Sequence, residues 1–295
     1  MYNIQEIDEW IDTIKIDKSK HTLTMYQSAL NKLFEYNKIK SFDDIKKITS
    51  SDIRNFQKYL KESGLQESSV NSNIRPIRSM FNWLVYNEYL EKSPMIKIKD
   101  LKCAKKEREF LSEDEQEKII LSCDKIQDRL ILALLITTGI RRDELCRLSL
   151  KDFDGTHILV HGKGKKERSL RLQDDVIQLM NLYIEHRNKK FGDGTDALVV
   201  SSYGNHYTGN AIYKKIKTVM KKAGLPEDRI EKIHPHSCRH SFVANMLDGG
   251  ADIFVVSNAL GHSKLEITSN IYGHIHSKTM DRAMMNQKSI FKKEN

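Results

Sequence analysis

Only four cysteines occur in 295 residues. They are scattered at Cys103, Cys123, Cys146 and Cys238 with no CxxC pair. Such spacing supports neither a disulfide framework nor a zinc site and fits a reducing compartment. The chain has no GxGxxG or Walker loop, so nucleotide hydrolysis gets no support. Internal repeats and low-complexity tracts are missing too, as is any cluster of carboxylates that would gather a metal ion. The longest apolar run, around Leu130 to Ile136, falls far short of the roughly 20 residues a membrane span needs. The opening MYNIQEIDEW lacks the charged-then-apolar order of a signal peptide. These absences predict a soluble cytoplasmic protein with no metal, no cofactor and no membrane partner.

What is present is basic charge. Lys and Arg total 49 against 40 Asp and Glu, a formal net charge of +9. Residues 1–100 hold 16 basic and 14 acidic side chains, so most of the excess lies further on. A polyanionic partner fits that balance without being demanded by it.

Residues 1 to about 90 read as helices only. Ile4, Ile7, Trp10, Ile11 and Ile14 form one apolar stripe; Leu23, Tyr26, Leu30, Leu33 and Phe34 form a second, with Ser19 placed to cap it. A third helix starts near Ser51 and stops at Gly64. A fourth carries Val70, Ile74, Ile77, Met80, Phe81 and Leu84, and its Pro76 predicts a kink or a later start. Ser93-Pro94 ends this bundle, and the basic stretch 95–109 reads as a linker. A second domain, 110–295, opens with the capping box Ser112–Glu115. Residues 126–138 predict an apolar helix halted by Gly139. The segments 156–160 and 168–172 flank Gly162-Lys163-Gly164 as a β-hairpin. Helices are expected at about 174–188 and 208–223, a further strand at Ala197–Ser201, and a tail from about 277 that carries Met280, Met284, Met285, Ile290 and Phe291. The fold class expected is mainly α, with a small antiparallel sheet in the second domain.

Five short motifs carry chemistry-bearing residues: TGIRRDEL (Arg141, Glu144), GKGKKER (Lys163), HSCR (His236, Arg239), LGHS (His262) and IYGH (Tyr272). Each alone also fits an ordinary structural role. His236 and Arg239, three apart at a helix start, project from one face. Their combination of guanidiniums, imidazoles and a phenol suits a phosphate.

In this order the set resembles the tyrosine recombinase (phage integrase) family, whose pattern is TG-[LIM]-R-x-x-E-L, GKGxKER on a hairpin, H-x-x-R, G-H and then a nucleophilic Tyr. The likeness spans nearly the whole chain and is of the simple two-domain type seen in Xer-like recombinases and mobile-element integrases. Residues 1–94 resemble the SAM-like core-binding domain, and 110–295 the catalytic domain. The departures are small: Ile140 stands where Leu or Met is commoner, Cys238 where Leu is usual, and Tyr272 lies one residue further from His262 than in Xer-type members.

The resemblance implies a site-specific recombinase that cuts and rejoins double-stranded DNA through a covalent 3′-phosphotyrosine, without ATP, cofactor or metal. Tyr272 is then the nucleophile, His236 its base and Lys163 the acid at the departing 5′-oxygen. Arg141 and Arg239 bind the non-bridging oxygens. His262 sits beside the phosphate, and Glu144 supports Arg141 or a neighbouring imidazole. His234, His240, His274 and His276 read as structural or surface residues. The resemblance also implies a homo-tetramer on two DNA sites, exchange of the C-terminal tail between subunits, accessory proteins and a nucleoid-associated location. A type IB topoisomerase shares much of this chemistry, and an inactive architectural DNA-binding protein would share the fold; both alternatives stand at this point.

Overall fold

The computed structural model describes residues 3–104, 108–162 and 166–261, which divide into two compact units, 1–106 and 107–295.

The first unit is helical: α1 (Gln5–Asp17), α2 (Lys20–Asn37), α3 (Phe42–Lys46), α4 (Ser50–Glu62) and α5 (Glu67–Tyr86). Its core is made by the stripes read from the sequence, including Ile7, Trp10, Leu30, Leu33, Ile74, Ile77 and Phe81, together with Ile53 and Phe56 of α4. Ser19 caps α2 by accepting from the Thr22 N–H. Helix α5 runs unbroken past Pro76, so the proline does not delay its start. Buried Val70, Ile74, Ile77, Met80 and Phe81 on both sides of Pro76 hold the helix where the missing N–H weakens it. The short α3 has no counterpart in the expected pattern, although Ser41 and Asp44 form a capping box at its start. In the stretch read as linker, Met95 and Ile98 are buried in the helical core, and Asp100 accepts from Arg75 and Arg78.

The second unit is built on α7 (Ile126–Thr138). From Leu130 to Ile136 it is apolar at every position and every residue is buried. Around it pack α6 (Glu113–Leu121), α8 (Arg142–Leu145), α9 (Asp174–Phe191) and α12 (Pro235–Asp248). The capping box Ser112–Glu115 starts α6. After α8 a 3-10 turn, Leu150–Asp152, leads into an antiparallel hairpin. Its strands β1 (His157–His161) and β2 (Glu167–Arg171) pair His157 with Arg171 and His161 with Glu167. Among the described residues the remaining helices are α10 (Gly209–Lys222), α11 (Glu227–Lys232) and α13 (Ile253–Leu260).

The strand expected at Ala197–Ser201 does not form. That segment is buried, but it makes only isolated bridges, Ser149 with Ala197 and Val200 with His206, and no ladder. Cys123, Cys146 and Cys238 are buried, and burial pushes their thiols up to about 11, 11 and 12; Cys103 is exposed. Among the described residues no helix is long and apolar enough to cross a membrane.

Candidate functional site

The site is laid out around the C-terminal end of α7. Gly139 stops that helix with a left-handed φ of 61°, which disfavours any side chain. It also has no room for one: a Cβ there would lie 2.4 Å from the Phe242 ring of α12. This close crossing brings the TGIRRDEL turn against the helix that carries HSCR.

The adjacent arginines Arg141 and Arg142 take different partners. Arg142 donates to Asp143 at 2.9 Å and lies over Gly209, the first residue of α10. Arg141 sits at the N-cap of α8, where its backbone N–H donates to Glu144 Oε2 (2.9 Å) and its guanidinium to Glu144 Oε1 (2.8 Å). The Glu144 side chain is only 3 % exposed, whereas that of Arg141 is 37 % exposed. The carboxylate is therefore a buried anchor, and the guanidinium it holds still reaches solvent.

A second guanidinium meets Glu144. Arg168, on β2, donates to Oε2 at 2.7 Å and to Oε1 at 3.3 Å, while its Nε donates to the Ala259 carbonyl at 2.9 Å. Burial alone would push the Glu144 carboxyl up. The hydrogen bond from Arg168, that from the Arg141 backbone and the two positive charges outweigh it and hold the pKa at about 2. Arg168 is the closing residue of GKGKKER, yet the sequence reading gave it no role. The motif was its only signal, because both of its partners lie far away along the chain.

Arg239 is buried on α12. Its two terminal nitrogens donate to the Gly139 and Leu260 carbonyls, each at 2.6 Å. The end of α13 is thus gripped twice, by Arg168 at Ala259 and by Arg239 at Leu260. Gly261, in the left-handed region, packs against the Arg168 guanidinium.

His236, one turn before Arg239, is exposed to solvent. Partial desolvation, then the positive charges of Arg239, Arg142 and Arg141, hold its imidazole below the usual value. The neutral ring, able to accept a proton, is therefore the dominant form at pH 7. His240 is pushed down to about 4, by burial first and then by Arg108, whose guanidinium approaches Nε2 at 3.4 Å. His234 stacks on Tyr213.

Among the residues expected from sequence, Arg141, Glu144, His236 and Arg239 are thus brought to one end of the unit. Lys163, His262 and Tyr272 lie outside the described residues, as do His274, His276 and the tail from 277. Their described chain neighbours bear on the same cluster: Gly162, preceding Lys163, has its Cβ position 3.9 Å from Glu144 Oε1, and Gly261 precedes His262.

Comparison with known proteins identifies the family. The model of the phage integrase family matches residues 109–279, and that of the phage integrase N-terminal SAM-like domain matches residues 7–88. Tyrosine recombinase XerC of Staphylococcus aureus (strain MSSA476) is 30% identical over 309 residues, covering 100% of this chain and 99% of its own. Two solved structures share the fold. The Tn1549 transposon integrase in complex with transposon right end DNA has a TM-score of 0.76 and 20% identity, covering 97% of this chain and 99% of that one. The lambda integrase tetramer bound to a Holliday junction has a TM-score of 0.71 and 16% identity, covering 90% and 76%. The chain belongs to the phage integrase family of tyrosine recombinases and is a site-specific DNA recombinase, an enzyme that cuts and rejoins DNA strands.

Proposed function

We propose that this chain cleaves duplex DNA by attack of Tyr272 on a phosphodiester, storing the bond energy as a 3′-phosphotyrosine until a second strand end reclaims it. The single observation that carries this reading is the Glu144–Arg168 pair, which together with Arg239 ties four motifs scattered between residues 139 and 261 into one cationic cluster. Attack on phosphorus builds charge on the non-bridging oxygens. Arg141 and Arg239 are the planar donors for it, fixed in place before the reaction begins. A free phenol has a pKa of about 10 and needs a base; the neutral imidazole of His236 takes that proton. Lys163 protonates the departing 5′-oxygen, and His262 hydrogen-bonds the phosphate. Glu144 and Arg168 position Arg141. With this fixed positive charge neither ATP nor a metal ion is required.

In this reading residues 1–94 and 110–295 bind the duplex together, joined through 95–109, and four copies act on two DNA sites. The tail from 277 docks on a neighbouring subunit. A groove of about 480 Å³ between α6, α7 and α9 supports this, floored by Ile120, Ala133, Ile136 and Leu179 and flanked by exposed Leu121 and Leu182. Accessory proteins would act on that assembly.

The experiment is covalent trapping on a labelled suicide substrate in a chelator. The wild-type chain should form the adduct, and Tyr272→Phe should bind DNA equally well without forming it. A normal adduct yield from Tyr272→Phe would assign the wrong nucleophile, and loss of the wild-type adduct in chelator would overturn metal independence.

A further inference from the structure

Beside the cationic cluster stands a second group of titratable side chains that the proposed chemistry does not use. His161 ends β1 and pairs in register with Glu167, the first residue of β2, and Gly162 N–H donates to the Lys166 carbonyl at 2.7 Å. The His161 ring bridges two carboxylates: Nδ1 to Glu167 Oε1 at 2.8 Å, and Nε2 to Asp152 Oδ1 at 3.0 Å. The Asp152 side chain is 4 % exposed, and its other oxygen accepts the Ser149 N–H at 2.8 Å, closing the 3-10 turn. The imidazole therefore fastens the hairpin to the body of the unit. Carboxylates only accept, so both ring nitrogens must carry protons for both bonds to exist. The complete bridge requires the imidazolium. Among the described residues, the charged groups facing the ring are Asp152 from the 3-10 turn and Glu167 from β2; their hydrogen bonds, Asp152 first, raise its pKa above the usual value. Among the described residues no group of three or more His, Cys, Asp or Glu is arranged to hold a metal ion, these three included.

We infer that protonated His161 is a positioning residue: it holds the hairpin against the 3-10 turn and thereby sets Lys163 for proton delivery to the leaving 5′-oxygen. This rests on the reading of Lys163 as the acid. The pKa of His161 is raised on folding, so the bridge is complete below that raised pKa and is lost as pH rises through it. Cleavage that needs the acid should then weaken on the alkaline side while a lysine of ordinary pKa, about 10.4, is still charged.

The test compares single-turnover adduct formation by the full chain on two suicide substrates, with oxygen or with sulfur at the bridging 5′ position. A thiol has a pKa of about 8.5, so thiolate leaves without a proton. His161→Gln should slow cleavage of the oxygen substrate by about ten- to a hundredfold, remove the alkaline fall, and cleave the sulfur substrate at the wild-type rate. Lys163→Ala, run beside it, should lose more and be rescued the same way. No rescue of Lys163→Ala overturns the acid reading. Rescue of Lys163→Ala but not of His161→Gln overturns the role of His161, and so does wild-type cleavage of the oxygen substrate by His161→Gln. If His161→Gln melts early or binds DNA poorly, Glu167→Gln takes its place. It keeps an acceptor for Nδ1 but removes a charge, so the alkaline fall should move to lower pH; a fall that stays in place overturns the inference.

Discussion

Glu144 shows how much one buried carboxylate can organise. It is held by two guanidiniums and a backbone N–H, and its pKa is lowered from 4.5 to about 2. A depressed carboxylate contributes stability above its unfolded pKa and loses it as pH falls toward the folded one. Glu144→Gln keeps the shape but leaves Arg168, itself largely buried, without its counter-charge. We expect it to cost on the order of 3 kcal/mol at neutral pH, with the gap to wild type narrowing between about pH 4.5 and 2. Paired thermal melts across that range measure it. A gap that stays constant would mean the carboxylate charge is not what stabilises the unit. Arg141 and Glu144 could be linked from sequence because they sit three apart on one turn. The partner that completes the arrangement, Arg168, comes from a strand 24 residues further on. Spacing along the chain carries no trace of that contact, which is why the sequence left open whether Glu144 served an arginine or an imidazole.

At the scale of elements, the crossing of α7 and α12 sets the site, and Gly139 is where it is tightest. Gly139→Ala would place a side chain at a φ that disfavours one by about 1–2 kcal/mol. The new methyl would also strike the Phe242 ring. The helices must then move apart, taking the Gly139 carbonyl away from Arg239. We expect a melting temperature lower by about 3–8 °C and a larger loss of cleavage than of DNA binding. Adding Phe242→Leu should recover the steric part of the loss and leave the backbone part. A single variant that melts and cleaves like wild type would show the crossing to be more tolerant than its geometry indicates. The helices themselves were legible because each buried stripe repeats over several turns. Helix α3, five residues long, gives no repeat to read, and only its Ser41–Asp44 capping box announces it. Ala197–Ser201 misled for the opposite reason. Its apolar run reflects burial, and Leu198 spends its N–H on the Leu148 carbonyl rather than on a strand ladder.

At the scale of the whole molecule, the proposed tail docking would make catalysis and assembly separable. The charged anchors cluster at the C-terminal end of α7, whereas the apolar groove runs along the flank of that helix beside α6 and α9. Deleting residues 279–295 should therefore spare DNA binding by the monomer, read by gel shift, while strand exchange between two sites drops at least tenfold through lost avidity. Recombination at the wild-type rate would remove the tail from the assembly. The distribution of thiols has a practical consequence. Three of the four cysteines lie in the catalytic unit, buried and far from ionising at neutral pH, and the fourth, Cys103, is exposed near the end of the helical unit. A maleimide dye will therefore enter the native chain at one place, close to the boundary between the units. The unaltered sequence thus carries a ready-made attachment point for fluorescence measurements of DNA binding.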